Sequence, residues 1–569
     1  MIKLSNETRT SAPKLRRALG LRDLYFAGLT AVIGSGWLFA SFLTSSVAGP
    51  ASIISWIVGG IFIIFIALAW AEVSTSVPVA GGAVRYASYT HGSIASSIIA
   101  WSTILTYIAV PAVEAVAVIQ TVGAALPVYG ITSITLVSPT GLPTGLGVAV
   151  AFLLSLLFFY LNYIGVRSLA NANTVMSTWK LIIPPIAIIA LLIFGLSKGL
   201  GSNFTTPSFA PFGFAPVFTA IPATGVIFAY LGFRQPIEMA AEAKVPGKDI
   251  WRAILFVVGT SMVIYTLLQI AFIGALEWNS PAFGSEGVGV GQWSGLGTSL
   301  PMYSFPFFYE AVGLGIGALA ILLAIDGAVS PAGTLHQYMG STPRVTFGTA
   351  KEGLLPASFL KIHPKYRIPV VGLIATLAVT LILLVLASVG ALVSTVGGAW
   401  PALTSIITTT GVFSYIMGPI ALPIFRRSYP EAQRPFSIPA YNILAPIAFI
   451  VAALMTYWGA GSLIAPPSDP YGGYILLVVM LAGVFLYGFQ KDKKPGEFKT
   501  GLWVIVFLLF NLVLLYLGEY QTNIIKLPYD WIVDIVGAIV FYIWAMRSQL
   551  PPDTVKQSIQ RVLSQPEGE

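Results

Sequence analysis

Residues 24–47 read LYFAGLTAVIGSGWLFASFLTSSV, an apolar run with Ile33-Gly34-Ser35-Gly36-Trp37 at its middle. A helix needs about 20 apolar residues to cross a bilayer, and it must satisfy its own backbone hydrogen bonds because lipid offers no partners. Two glycines around a serine are poor helix formers. The stretch is therefore either a close helix contact through small residues or an interrupted helix whose open backbone lines a cavity. The remainder of the chain decides between these.

Only 9% of the 569 residues are charged and 56% are hydrophobic, where soluble domains run about 25% and about 45–50%. A soluble enzyme is excluded, and the chain reads as one all-α polytopic membrane protein. Fourteen apolar runs are countable, near 24–47, 51–76, 93–124, 145–165, 174–197, 217–242, 252–276, 306–342, 369–392, 399–425, 442–465, 471–490, 501–518 and 530–548. The first follows a basic arm, exceeds a signal-peptide core in length and lacks a small-residue cleavage site, so it is expected to remain as span one. A net charge of +8 would raise nucleic acid as a partner of a soluble protein. Of the 30 Lys and Arg, however, all but Lys180, Lys198, Arg234 and Lys526 fall in segments assigned to one side. The charge thus orients a multi-pass cell-membrane protein with both termini cytoplasmic, and no nucleic acid is required. The absence of cysteine excludes thiol catalysis, disulfides and cysteine-bound metal.

The run 217–242 carries a second interruption: Gly225, then Ala229-Tyr230-Leu231-Gly232-Phe233, then Pro236. One break at the start of each of two five-span blocks is the pattern of an inverted-repeat transporter with a midplane site. Half-helix N-termini present free N–H groups and a positive dipole end, and the opposite ends present unpaired carbonyls. This suits a zwitterion. An amino acid carboxylate is expected on Gly34, Ser35 and Gly36, and its ammonium near the carbonyls of Val32, Ile33, Phe228 and Leu231. The chain divides accordingly into a cytoplasmic arm (1–22), a ten-span core (23–440), spans eleven and twelve (441–490), two additional peripheral spans (491–548) and a cytoplasmic tail (549–569). The long outer loop, 277–305, reads as a cap or an unspecific connection.

These residues and their neighbours resemble the amino acid-polyamine-organocation family of secondary transporters. The resemblance runs from Leu19-Gly20-Leu21-Arg22-Asp23-Leu24 through Ile33-Gly34-Ser35-Gly36 to Ala71-Glu72-Val73-Ser74, Pro78, Gly81, Gly82 and Tyr86. It continues with Asn162, Gly165, Gly232-Phe233, Glu242, Lys244, Pro246, Pro343-Arg344 and Lys351-Glu352-Gly353-Leu354-Leu355-Pro356, and ends at Arg426, Arg427, Pro430, Arg434 and Pro435. It implies a five-plus-five inverted-repeat core of the leucine-transporter type, alternating access, and amino acids or related amines as substrate. Two positions depart from the family pattern. Arg234 stands where members often have a carboxylate, and Val84 where a tyrosine is common.

An intramembrane charge costs several kcal/mol unless paired or hydrated, so each is a functional candidate. In several members a lysine corresponding to Lys180 lies near the span-one break, where sodium-coupled relatives bind the cation. The resemblance implies that its ammonium replaces sodium and exchanges a proton as access alternates; the other reading is a side chain snorkelling to the interface. Arg234 and Glu238, four apart on one helix face, suit a local ion pair, or Arg234 holds an acidic side chain. Glu114 and Asp326 are expected in the outer half of the membrane, as proton relays, amine ligands or paired polar groups. Glu72 is expected to be structural. By alignment Phe228 is a gating aromatic and Tyr338 an aromatic of span eight, with Tyr107 a further wall residue.

The expected function is a proton-coupled amino acid permease, with an amino acid or polyamine exchanger or antiporter as the alternative. A membrane-embedded transferase is remote, because no aspartate-rich metal motif, HExxH or phosphate loop is present. The partners expected are an amino acid and the lipid bilayer. No cofactor or metal is expected; the proton gradient supplies the drive.

Overall fold

The computed structural model describes residues 14–139, 141–280, 288–298, 303–389, 399–464, 470–490 and 496–564. Among them the chain is helical throughout, with isolated bridges in place of strands. Parts of the basic arm (1–13), the outer loop (281–287 and 299–302) and the connection 491–495 lie outside the described residues.

Twelve helical stretches are long and apolar enough to cross a membrane, or thirteen with the bent pair Ala215–Ala223 and Val226–Glu238. One stretch, Ser35–Ser76, has 42 residues. At 1.5 Å per residue it would measure about 63 Å, roughly twice the hydrocarbon thickness. It turns at Gly49, whose φ is +62°, and so holds both the second half of span one and all of span two. Separating these recovers the fourteen passes expected from sequence.

Span one is two half-helices, Leu21–Val32 and Ser35–Ala48. Ile33 leaves the helix at φ −81°, ψ 79°, and Gly34 adopts φ −116°, ψ −138°. Span six is bent by 55° between its two parts, with Gly225 at φ +93°. Span three occupies the helix Gly82–Ala125, which kinks at Gly92, the start anticipated from sequence. Span eight differs from expectation. It is Gly317–Lys351, and the residues ahead of it form a separate helix, Pro306–Gly313. The turn at Gly315, φ +76°, separates them.

The two broken spans cross in backbone contact. A Cβ on Gly36 would lie 2.9 Å from the Cβ of Ala229, and one on Gly232 would lie 2.6 Å from the backbone of Ala31 and Val32. Spans three, five, seven, eight and ten surround this crossing. Span thirteen, Glu497–Leu517, packs on span three, where a Cβ on Gly501 would meet Ile94 and Ala95.

The face that carries the basic loops is closed by ion pairs. Arg344 grips Glu242 at 2.9 and 3.2 Å, Arg426 grips Glu72 at 2.6 and 2.7 Å, and Arg85 meets Glu352 at 2.9 Å. Bidentate guanidinium–carboxylate geometry makes the first two strong and directional. The amides of Ala18 and Leu19 bond the carbonyl of Glu242, and Lys244 N–H returns to Leu19. The segment before span one is thereby tied to the end of span six.

Gly232→Val should destabilise the protein by about 1–3 kcal/mol, the cost of overpacking against atoms that cannot rotate away. Thermal unfolding of detergent-purified protein should show a lowered midpoint, whereas Gly259→Ala, in open space inside a helix, should not lower it.

Candidate functional site

Interrupting a helix inside a membrane leaves carbonyls at one stump and amides at the other, and each must find a partner. At the first stump of span one, Lys180 from span five donates its Nζ to the carbonyl of Thr30 at 2.7 Å and to Thr334 Oγ1 at 3.1 Å. The Thr334 hydroxyl, from span eight, itself donates to the same carbonyl at 2.7 Å. Lys180 is 0% exposed, so its ammonium sits at the break and does not snorkel. Tyr265 of span seven donates its hydroxyl to the carbonyl of Val32 at 2.7 Å and faces that of Ala229 at 3.3 Å, serving both broken spans. Tyr415 of span ten donates to the carbonyl of Leu231 at 2.8 Å. The carbonyl of Ile33 has no donor among the described residues.

At the second stump, Ser35 N–H donates to Glu114 Oε2 at 3.0 Å. The carboxylate thus occupies the positive end of the half-helix Ser35–Ala48, and it lies at the break rather than in the outer half. A Cβ on Gly34 would lie 2.5 Å from Thr334 Oγ1 and 2.8 Å from Glu114 Oε1. The absence of a side chain at Gly34 therefore lets Thr334, which Lys180 also contacts, and Glu114 converge on the break. Glu114 Oε1 keeps no partner. The amide of Ser35, expected to hold a substrate carboxylate, is held here by a carboxylate of the protein itself. Trp400, in the first turn of the span-ten helix, donates its indole N–H to Ser35 Oγ at 2.8 Å. Its ring stands 5.7 Å from that of Phe228 and 4.8 Å from that of Phe39.

Toward the basic face, Arg234 donates to Glu238 Oε1 at 2.7 Å and to Ser414 Oγ at 2.7 Å. Its guanidinium stacks among Trp70, Tyr107 and Tyr415 at 4.8–5.7 Å. The pair is buried, with Arg234 Nε and Glu238 Oε2 lacking partners. Tyr107 and Tyr338 face one another at 5.2 Å. Asp326 lies toward the other face, where Oδ1 accepts from Trp179 at 2.6 Å and Ser330 at 2.8 Å. Asp326, Ser330 and Thr334 share one face of span eight and lead to Lys180. Glu72 is held in the closure of the basic face by Arg426. A cavity of about 440 Å³ lies on that face, lined in part by Arg85, Lys351 and Glu352, away from the break.

Sequence reasoning did not single out Thr334, Tyr265, Tyr415 or Trp400. For Thr334 a signal existed, since Asp326, Ser330 and Thr334 recur every fourth residue. The tyrosines and the tryptophan offered none, because aromatic residues are abundant throughout this chain.

Residues 19–471 match the model of a family described as amino acid permease. The chain is 36% identical over 553 residues to the glutamate/serine transporter AimA of Bacillus subtilis (strain 168), covering 96% of each. It is 32% identical over 539 residues to the aspartate-proton symporter of that organism, covering 94% of this chain and 97% of the other. The serine/threonine exchanger SteT, also from B. subtilis, is 25% identical, with 85% and 95% covered. Among solved structures, MhsT in complex with L-phenylalanine superposes with a TM-score of 0.54 at 12% identity, covering 82% of this chain and all but 1% of that one, 99%. This last likeness is one of fold: the leucine-transporter-type core with discontinuous spans one and six.

Tyr265→Phe keeps the ring and leaves two break carbonyls without their shared donor. A loss of about 1–3 kcal/mol is expected, read as a lowered unfolding midpoint in detergent; an unchanged midpoint would show that the remaining donors, among them Gly34 N–H on the Val32 carbonyl at 2.9 Å, suffice.

Proposed function

The chain belongs to the amino acid permease family, and on that premise we propose that it is a symporter that carries small and acidic amino acids into the cell together with protons. The cargo is suggested by the relatives, which are a glutamate/serine transporter and an aspartate-proton symporter. The observation that carries the coupling is the Lys180 ammonium, buried against Thr30 and Thr334 at the broken end of span one.

In this reading Lys180 joins spans one, five and eight while it holds its proton. Loss of that proton removes the charge that tethers the Thr30 carbonyl, and the break is then free to rearrange. An arriving substrate carboxylate competes with Glu114 for the Ser35 donors. Binding of one carboxylate and release of the other are therefore linked, and a proton that neutralises the released acid travels with the substrate. The substrate ammonium takes the Ile33 carbonyl. Arg234, neutralised by Glu238, provides a polar floor beside Tyr107 and Tyr338. The basic face is cytoplasmic, and the Arg344–Glu242 and Arg426–Glu72 pairs hold it shut while the site faces outward.

The test uses purified protein in liposomes. Labelled L-serine and L-aspartate should accumulate when the outside is made acidic, and a proton ionophore should stop this. Lys180→Ala should slow proton-driven uptake by about 10²-fold or more, the range by which removing a positioned proton-transfer group slows a reaction. Exchange that proceeds at full rate without a pH gradient and is indifferent to Lys180 would establish an exchanger instead.

A further inference from the structure

The indole of Trp400 is bonded to the hydroxyl whose neighbouring amide holds a carboxylate. Trp400 Nε1 donates to Ser35 Oγ at 2.8 Å, and the indole is 1% exposed. A serine hydroxyl has one proton and accepts through its lone pairs. With the indole N–H on its oxygen, the Ser35 O–H is left to donate. Beside it, Ser35 N–H donates to Glu114 Oε2 at 3.0 Å. Ser35 thus offers a carboxylate two donors from one residue, at the positive end of a half-helix.

Trp400 is itself fixed by packing. Its ring lies 4.8 Å from Phe39 and 5.7 Å from Phe228, and a Cβ on Gly225 would come within 3.1 Å of it. Spans one and six hold the indole from both sides, and span ten supplies it.

We propose that Trp400 is a positioning residue for the substrate carboxylate, acting through Ser35 by committing that hydroxyl to the donor role. This rests on the amino acid symporter reading above and adds the span-ten residue that orients its carboxylate site. It also covers the break toward the face opposite the basic one, so the site cannot open to that side without parting the indole from Ser35 or from Phe228.

The experiment measures binding of L-serine and of its carboxamide analogue L-serinamide to purified wild-type protein, Trp400→Phe, Ser35→Ala and the double variant. Trp400→Phe should weaken L-serine binding about three- to tenfold, the range for one hydrogen bond, and should change L-serinamide binding less than twofold. In the Ser35→Ala background, Trp400→Phe should cost nothing further, because the two residues act as one unit. Replacing Trp400 with benzothienylalanine, which keeps the shape and lacks the N–H, should reproduce the Trp400→Phe loss and guards against a packing defect. Additive losses in the double variant, or full affinity with benzothienylalanine, would overturn the proposal while leaving the transport reading intact. Wild-type protein that binds no amino acid would overturn both.

Discussion

Backbone polarity inside lipid is the constraint on which this structure depends. Two helices are interrupted at mid-depth, and each interruption exposes groups that cost several kcal/mol if left unpaired. The surrounding spans supply the partners: Lys180 and Thr334 for Thr30, Tyr265 for Val32 and Ala229, Tyr415 for Leu231, Glu114 for Ser35. Each partner comes from a different span. The bundle is thus organised around its two broken spans, and the side chains that make the interruptions tolerable are also those that bear charge and hydroxyl groups at the site.

The few charges are distributed by the same logic. On the basic face, Arg344 pairs with Glu242 and Arg426 with Glu72 in bidentate fashion across spans. Within the membrane, Lys180, Glu114 and the Arg234–Glu238 pair sit at or beside the breaks. Arg234 and Glu238 form a neutral unit walled by aromatic rings, an arrangement in which breaking one partner costs more than the pair contributes. Lys180 has no partner of that kind. It donates to a carbonyl and a hydroxyl, neither of which carries a charge.

Much of the fold was legible because its signals are local. Length and apolarity gave the spans, and glycine with flanking polar residues gave the breaks at Gly34 and Gly225. The start of span eight was missed because no polar stretch separates 306–313 from 317–342, and the division lies at Gly315 with its positive φ. The site was half legible. Lys180, Glu114 and Arg234 stand out as charges in apolar runs, but depth does not follow from position in a run. Glu114 reads as outer-half by counting residues, yet its carboxylate meets the Ser35 amide at the break. Tyr265, Tyr415 and Trp400 escaped notice for a different reason. A hydroxyl or indole on a membrane helix looks the same whether it faces lipid headgroups or a stranded carbonyl.

The close crossing of spans one and six has a mechanical consequence. At Gly36 against Ala229, and Gly232 against Ala31, the two helices meet with nothing larger than an alanine methyl between their backbones, so neither can slide without a clash. The crossing is a fulcrum near the membrane centre, with lever arms of about 15 Å to either surface. A tilt of about 15° about that point moves each end by about 4 Å in opposite directions. One small rotation therefore widens one mouth as it narrows the other, and the pivot stays still.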